Sequence, residues 1–259
     1  VNPPELKILE EEITKVPNGR AVVLPITTMT RGHGTHSYPT IWGPYLARLL
    51  AETERDPEPK EESGPHGGLL LNPDGPLWEE TAPDSFVARF LTTEGAFSIR
   101  VDREWAPKGA DRFYQLVKNG FYDGVHINRV VEGFIAQFGL NGDPAVTAVW
   151  KDRRITDDPV TASNTRGRIA FATTGPDTRA TQVFISLVDN SRLDEEGFSP
   201  FGEIVEGMDV VDRLYSLYGE NAGGGMRGGR QGAIEGGGTA YIVENYPLLD
   251  FIVRAEIVM

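Results

Sequence analysis

The sequence has no cysteine among its 259 residues. Disulfide bonds, thiolate catalysis and metal sites with Cys ligands are therefore excluded. No apolar stretch approaches the roughly 18 residues that span a membrane, and no signal peptide is recognisable. The chain begins with Val1 instead of methionine. We therefore expect the natural N-terminus to lie upstream, and the sequence leaves both a cytoplasmic and an exported location open.

Positive charge is scarce, since 25 Lys and Arg stand against 38 Asp and Glu, for a formal net charge of −13. Non-specific binding to nucleic acid or to anionic membranes rewards an excess of basic residues. We therefore expect neither nucleic acid nor a membrane as a partner. A hydrophobic content of 39% is ordinary for a folded soluble protein, so bulk disorder is not expected.

The first of three segments, residues 1–52, follows an α-β-α pattern. A helix is predicted after Pro3, because apolar residues recur there at three- and four-residue spacing, at Leu6, Leu9, Ile13 and Val16. A buried strand is predicted over residues 21–26 and a second helix around Trp42. These elements expose apolar faces that nothing in the segment can cover. The pattern is typical of a piece of a larger domain.

The second segment, residues 53–84, is rich in proline and glycine and carries an acidic run around Glu61. Such a composition buries too little surface to fold alone, so an extended linker is predicted. Residues 69–71 and Trp78 are expected to dock locally on a neighbour. A chain beginning near Ala82 is expected to fold and to remain fully active, because the linker should contribute little to the following domain.

The third segment, residues 85–259, is dense in strand signals. Residues 86–91 and 96–101 alternate apolar with polar around a short turn, which predicts a hairpin. Helices are predicted over residues 107–119 and 208–218. Further strands are predicted at residues 125–131, 134–138, 168–173, 182–188, 201–205 and 251–258. This order predicts a mainly β fold, a closed antiparallel β-barrel capped by two helices.

Four ordered motifs lie within this segment. Residues 128–137 read Asn-Arg-Val-Val-Glu-Gly-Phe-Ile-Ala-Gln, and residues 169–178 read Ile-Ala-Phe-Ala-Thr-Thr-Gly-Pro-Asp-Thr. Residues 182–185 read Gln-Val-Phe-Ile, and Leu-Asp at 193–194 precedes Phe-Gly at 201–202. In order and spacing these motifs resemble the cyclophilin-type peptidyl-prolyl cis–trans isomerases. The resemblance implies isomerisation of X-Pro bonds in unfolded or flexible polypeptides, with no cofactor and no metal.

The resemblance also implies roles for individual residues. Arg129 is the central catalytic candidate, because an always-protonated guanidinium can donate to a prolyl nitrogen that becomes basic as its amide bond twists. Gln137 is expected to bind substrate backbone and to hold Arg129. An apolar pocket for the proline ring is expected from Phe134, Ile135, Phe184 and Leu193. The groove for the preceding residues is expected from Ala172, Thr173 and Gln182.

Five positions depart from the family pattern. Asn128 replaces a His, Phe138 replaces a Gly, and Thr173 stands where many members have Asn. Phe198 falls where a pocket His often lies, and is expected to make that wall more apolar. Arg192 occupies the position at which cyclosporin-sensitive members carry Trp, so only weak cyclosporin binding is expected.

Residues 1–52 resemble the C-terminal end of homoserine O-acetyltransferase-like α/β-hydrolases, in which a Gly-His loop supplies the triad histidine. His33, within Arg-Gly-His-Gly at 31–34, matches that residue. No Gly-x-Ser-x-Gly motif accompanies it, so the segment is expected to be catalytically dead. The alternative is that His33 and His36 are polar residues of a docking extension.

Two rival functions stay open at this point. The third segment could be a module that binds proline segments without turnover, or an accessory domain of a larger fused hydrolase or acyltransferase. Gly223, Gly225 and Gly228 satisfy a dinucleotide-loop spacing, but they follow a predicted helix instead of a strand. A flexible surface loop running to Gly238 is the better interpretation, and His126 is interpreted as structural or exposed.

Overall fold

The structure is a computed structural model, and it describes residues 67–222 and 231–258. Eight strands form one antiparallel sheet: β1 Ser85–Thr92, β2 Gly95–Asp102, β3 Arg129–Val131, β4 Ile135–Phe138, β5 Arg168–Phe171, β6 Val183–Ser186, β7 Pro200–Glu206 and β8 Ile252–Val258. Their order across the sheet is β3-β4-β6-β5-β7-β2-β1-β8. The mainly β prediction is therefore confirmed, and each strand falls close to a segment that the apolar alternation predicts.

The sheet curls into a half-barrel, which agrees with the barrel-like architecture that we predicted. Its outermost strands, β3 and β8, do not form a ladder with each other. The residues just before them are joined instead, through a bridge between His126 and Phe251. Ile127 N donates to Asp250 O at 2.8 Å, and Ile252 N donates to Val125 O at 2.8 Å. A short stretch of backbone thus connects the two edges at one end.

The predicted first capping helix is present, and the second is shorter than predicted. The helices are α1 Gly67–Leu70, α2 Pro107–Lys118, α3 Pro144–Trp150, α4 Met208–Asp212 and α5 Gln231–Asn245. The prediction for residues 208–218 is wrong beyond Asp212. There, Tyr215 N donates to the carboxylate of Asp250 at 2.7 Å. A continuing α-helix would require the same N–H to donate to the carbonyl four residues earlier.

The prediction of a flexible loop as far as Gly238 is wrong for residues 231–238, which form the first part of α5, up to a kink at Gly238. This helix is stabilised by a second apolar core that includes Ile234, Ile242 and Ala222. Gly238 has φ 55° and ψ −148°, and a Cβ there would overlap the carbonyl oxygen of Gly142. Glycine at this position therefore permits the close approach of α5 to the residues after β4. The dinucleotide-like spacing at 223–228 lies outside the described residues.

Residues 67–82 pack against the half-barrel instead of forming the extended spacer that their composition predicts. Leu70 and Trp78 are buried, as the expected local docking requires. The Trp78 and Trp150 rings lie 4.5 Å apart, and Trp150 Nε1 donates to Leu70 O at 2.8 Å. Ala82 N donates to Asp111 on α2 at 2.9 Å. The predicted boundary at residue 85 stays a prediction, and the predictions for residues 1–66 lie outside the described residues.

A buried ion pair joins Asp158, in the connection between α3 and β5, to Arg179, in the connection between β5 and β6. The carboxylate of Asp158 accepts from Lys108 N at 3.1 Å and from Gly109 N at 2.9 Å, which are two helix-start donors. The same carboxylate lies 3.0 Å from Arg179 Nη1, and the two side chains are only 2% and 3% exposed.

We expect Asp158→Ala to lower the free energy of unfolding by about 3–5 kcal/mol, because it removes the only one of the two Arg179 carboxylate partners that is buried. Urea unfolding followed by circular dichroism measures the loss. Asp157→Ala is the matched control, since its carboxylate lies 3.2 Å from Arg179 Nε but is 38% exposed. We expect that control to cost about 1 kcal/mol or less. Equal losses in the two variants would contradict the importance of burial here.

None of the helices within residues 67–222 and 231–258 is both long enough and apolar enough to span a membrane.

Candidate active site

Arg129 and Gln137 lie directly opposite each other on the neighbouring strands β3 and β4. Directly paired residues of an antiparallel ladder project to the same face of the sheet. Accordingly, Arg129 Nη1 donates to Gln137 Oε1 at 2.9 Å. Gln137 Nε2 in turn donates to Gln182 Oε1 at 2.9 Å. Three residues assigned to the site from the sequence therefore form one line of hydrogen-bonded side chains.

An apolar pocket adjoins this line. Ile135, Phe184 and Leu193 are buried, and Ala170 belongs to the same cluster; Phe134, Ala172 and Phe198 pack against it partly exposed. The rings of Phe184 and Phe198 lie 5.5 Å apart and nearly perpendicular, an arrangement typical of favourable aromatic contacts. Phe134 lies 5.7 Å from the guanidinium of Arg129, so the pocket and the cation are neighbours.

The pocket wall around Leu193 is held by the residue that follows it. Asp194 accepts from Ser163 Oγ at 2.5 Å and from Asn164 N at 2.9 Å and Nδ2 at 2.7 Å. Burial by itself would raise the pKa of Asp194, but these hydrogen bonds outweigh it and lower the pKa below its usual value. The carboxylate therefore stays charged at neutral pH and anchors the short 3-10 helix Ser191–Asp194.

Every residue that the sequence assigns to the site in this domain lines one groove of about 860 Å³. Thr173 lies on this lining as well, and its hydroxyl contacts that of Thr178 at 2.6 Å. His33 belongs to the residues that the structure does not describe. The ten residues from Arg129 to Phe198 are therefore brought together by the fold.

The groove also has a charged side chain that the sequence did not indicate. Glu220 Oε1 accepts from Arg129 Nη2 at 2.6 Å. The side chain of Arg129 is 11% exposed and that of Glu220 32% exposed. Glu220 lies 91 residues beyond Arg129 and belongs to none of the four motifs, so no local pattern could have identified it.

The departures from the family pattern have different surroundings. Phe138 is fully buried and packs 5.5 Å from Tyr122, so it serves the core. Asn128 is buried, and its amide atoms have no hydrogen-bond partner in the described part of the chain. Arg192 lies with its guanidinium 4.9 Å from the Phe134 ring.

His126 is buried, and its ring lies 5.4 Å from that of Phe251, in agreement with its interpretation as a structural residue.

In the two described ranges, no three or more His, Asp or Glu side chains form a group that could hold a metal ion.

Comparison with known proteins identifies relatives of this domain. The family model described as "Cyclophilin type peptidyl-prolyl cis-trans isomerase/CLD" matches residues 87–225. A peptidyl-prolyl cis-trans isomerase of Acinetobacter baylyi is 34% identical over 159 residues, which cover 58% of this chain and 79% of the relative. Peptidyl-prolyl cis-trans isomerase B of Escherichia coli is 32% identical over 139 residues, covering 48% of this chain and 81% of the relative.

A solved structure supports the fold. The crystal structure of a Cryptosporidium parvum cyclophilin type peptidyl-prolyl cis-trans isomerase is similar with a TM-score of 0.50 and 19% sequence identity. The match covers 68% of this chain and 98% of that chain. The family model matches more than half of the chain, and the four motifs meet in one groove. The chain therefore belongs to the cyclophilin-type peptidyl-prolyl cis–trans isomerase family.

Proposed function

We propose that this chain catalyses the cis–trans isomerisation of X-Pro peptide bonds in unfolded or flexible polypeptides, without a cofactor. The observation that carries the proposal is the contact between the Arg129 guanidinium and the rim of the apolar pocket, 5.7 Å from the Phe134 ring. A cation beside an apolar pocket suits a prolyl substrate, because the ring carbons of proline are apolar and its ring nitrogen becomes basic as the amide bond twists.

The chemistry requires little more than these two features. The trans form of an X-Pro bond is preferred by only about 0.5–1 kcal/mol, yet the forms exchange over tens to hundreds of seconds. The barrier, about 20 kcal/mol, is the loss of amide resonance. As the C–N bond twists, the prolyl nitrogen becomes pyramidal and its lone pair becomes available. A donor that meets this lone pair stabilises the twisted state more than either planar state.

In this proposal Arg129 is that donor, and Gln137 holds it while binding the substrate backbone. The buried side chains of Ile135, Phe184 and Leu193, with Phe134 and Phe198, receive the proline ring. The substrate residues that precede the proline lie along Ala172, Thr173 and Gln182. No group needs to gain or lose a covalent bond, so neither a nucleophile nor a metal enters the proposed reaction.

The test is a peptide assay in which a protease cleaves only the trans form of an X-Pro bond. We expect the chain to accelerate the slow phase that reports cis-to-trans conversion. The rival, a module that binds proline segments without turnover, would bind the same peptide in a titration and leave the slow phase unchanged. That result would overturn the proposed activity.

The hydrolase-like resemblance of residues 1–52, with His33, stays a prediction from the sequence. A domain partnership with a larger hydrolase or acyltransferase would be tested by reading the coding sequence upstream for a Ser nucleophile elbow. The isomerase proposal does not depend on the outcome.

We expect the chain to be inhibited by cyclosporin only at concentrations about ten- to a hundredfold above those that suffice for Trp-bearing relatives. The reason is Arg192, whose exposed guanidinium covers less apolar area than an indole and keeps part of its hydration. Losing one such contact costs about 1–3 kcal/mol of binding free energy. Inhibition curves in the peptide assay measure the difference.

Arg192→Trp should recover part of the sensitivity, whereas Arg192→Lys, which keeps the charge, should recover none. Tight inhibition of the unmodified chain would show that another side chain, such as Phe198, makes the contact.

A further inference from the structure

Arg129 lies on a strand that cannot by itself restrict the conformation of so long a side chain. β3 is only three residues long and lies at the edge of the sheet. An arginine side chain has many rotamers, and holding it in one costs conformational free energy. The guanidinium is nevertheless held at two of its terminal nitrogens, by Gln137 at Nη1 and by Glu220 at Nη2.

We propose that Glu220 is a positioning residue for the isomerisation, which fixes the plane of the Arg129 guanidinium against the apolar pocket. This inference rests on the proposed function. Two acceptors on different nitrogens of a planar group determine its orientation, which one acceptor cannot do. Of the five N–H groups of a guanidinium, two are used in this way. The Nε–H is buried, so the second hydrogens of Nη1 and Nη2 remain to meet the substrate.

The segment that carries Glu220 is itself anchored. Gly219 N donates to Ser216 O at 2.8 Å, and Asn221 N donates to Tyr218 O at 2.9 Å, so the backbone forms consecutive turns. Ala222 is fully buried in the second apolar core, and the Tyr246 hydroxyl donates to Asn221 O at 3.1 Å. The backbone that carries Glu220 is therefore already ordered when the second core forms. Holding its carboxylate against Arg129 costs little further conformational free energy.

A second contact ties the same segment to the turn that leads into the pocket. Ser216 Oγ donates to Glu132 Oε1 at 2.7 Å, two residues before Phe134. The C-terminal part of the chain therefore approaches the reaction groove at both the guanidinium and the pocket turn. This places α5 and its preceding turns in a supporting role for the site, beyond the packing of the half-barrel.

The charge of Glu220 has a further consequence for Arg129. The side chain of Arg129 is only 11% exposed, so little water is available to replace a lost partner. Without Glu220 the cation would retain the neutral Gln137 oxygen and would turn toward solvent for a second acceptor. The conformation in which the guanidinium faces the prolyl nitrogen would then be only partly populated. This lowers the isomerisation rate but leaves the pocket that binds proline intact.

Glu220→Ala is therefore expected to lower kcat about tenfold while KM changes less than about twofold. Glu220→Gln keeps an acceptor oxygen and should recover kcat to within about threefold of the unmodified chain. Both constants are measured by NMR exchange spectroscopy on a proline peptide at rising concentration. Glu244→Ala, which removes an exposed carboxylate from α5 outside the groove, is the matched control and should change neither constant.

The decisive experiment is a double-mutant cycle, in which Glu220→Ala is introduced into a chain that already carries Arg129→Ala. If Glu220 acts through Arg129, the second substitution should change the residual rate less than about twofold, since residues that act as a unit are not additive. A tenfold loss in both backgrounds would mean that Glu220 only supports the fold, and would overturn the inference. An unchanged kcat in Glu220→Ala alone would overturn it as well.

The guanidinium resonances of Arg129 give a readout that does not depend on turnover. In the unmodified chain, restricted rotation should separate the signals of the two terminal nitrogens, and Glu220→Ala should merge them. If the unmodified chain shows no catalysis, the proposed function fails. The positioning contact is then still supported by separate signals that merge on substitution, and refuted by signals that are merged from the start.

Discussion

Arg129→Ala should reduce the rate of peptide isomerisation at least about a hundredfold, because it removes the cation that Gln137 and Glu220 hold beside the apolar pocket. Loss of a single transition-state donor typically costs a hundred- to a thousandfold in kcat. Peptide binding should change much less, since the side chains that receive the proline ring are untouched. The protease-coupled assay measures the rate, and a titration with a slowly exchanging proline peptide measures the affinity.

The control for this prediction is the integrity of the fold. Arg129 lies at the end of an edge strand, and its side chain contacts Gln137 and Glu220 instead of the main core. Urea unfolding of Arg129→Ala should therefore stay within about 1 kcal/mol of the unmodified chain. A variant that folds normally and keeps a near-normal rate would remove Arg129 from its proposed role.

A chain that begins at Ala82 should be far less stable than one that begins at Gly67. The shorter chain loses the buried side chains of Leu70 and Trp78 and leaves the indole N–H of Trp150 without its acceptor. Truncating a buried Leu costs about 2–5 kcal/mol and a buried Trp about 3–5 kcal/mol. Together these losses approach the total stability of a typical domain, about 5–15 kcal/mol.

The comparison is made by thermal and urea unfolding followed by circular dichroism, with both chains at the same concentration. We expect the chain from Ala82 to aggregate or to unfold at a much lower urea concentration. Equal unfolding midpoints would show that residues 67–81 are dispensable, as their proline- and glycine-rich composition predicts.

Local pattern predicted most of the half-barrel. In the β1–β2 hairpin, β1 alternates its buried and less buried residues, and a one-residue slip would place its buried apolar side chains in solvent. α2 was recognisable because Phe113, Leu116 and Val117 share one face and Gly120 follows with φ 71°. In both elements the local preference and the tertiary packing agree.

Prediction failed where tertiary contacts outweighed local preference. Glycine disfavours helix formation by about 1 kcal/mol per residue relative to alanine, so the glycines of residues 231–238 indicated a loop. Burial of Ile234 and Ile242 and the close passage of Gly238 by Gly142 override that preference. The helix predicted beyond Asp212 ends early because Asp250, distant in sequence, captures the Tyr215 N–H.

The candidate site likewise has a part that local sequence predicts and a part that tertiary contacts decide. The sequence by itself determined the chemical types that line the groove, because Arg129, Gln137 and the apolar residues lie in short motifs whose order and spacing are read directly. Only the tertiary structure decided which partners orient the cation. The carboxylate of Glu220 reaches Arg129 from 91 residues away because the second apolar core holds its segment there. Such a contact depends on where two distant parts of the chain pack, and no pattern local to either part encodes it.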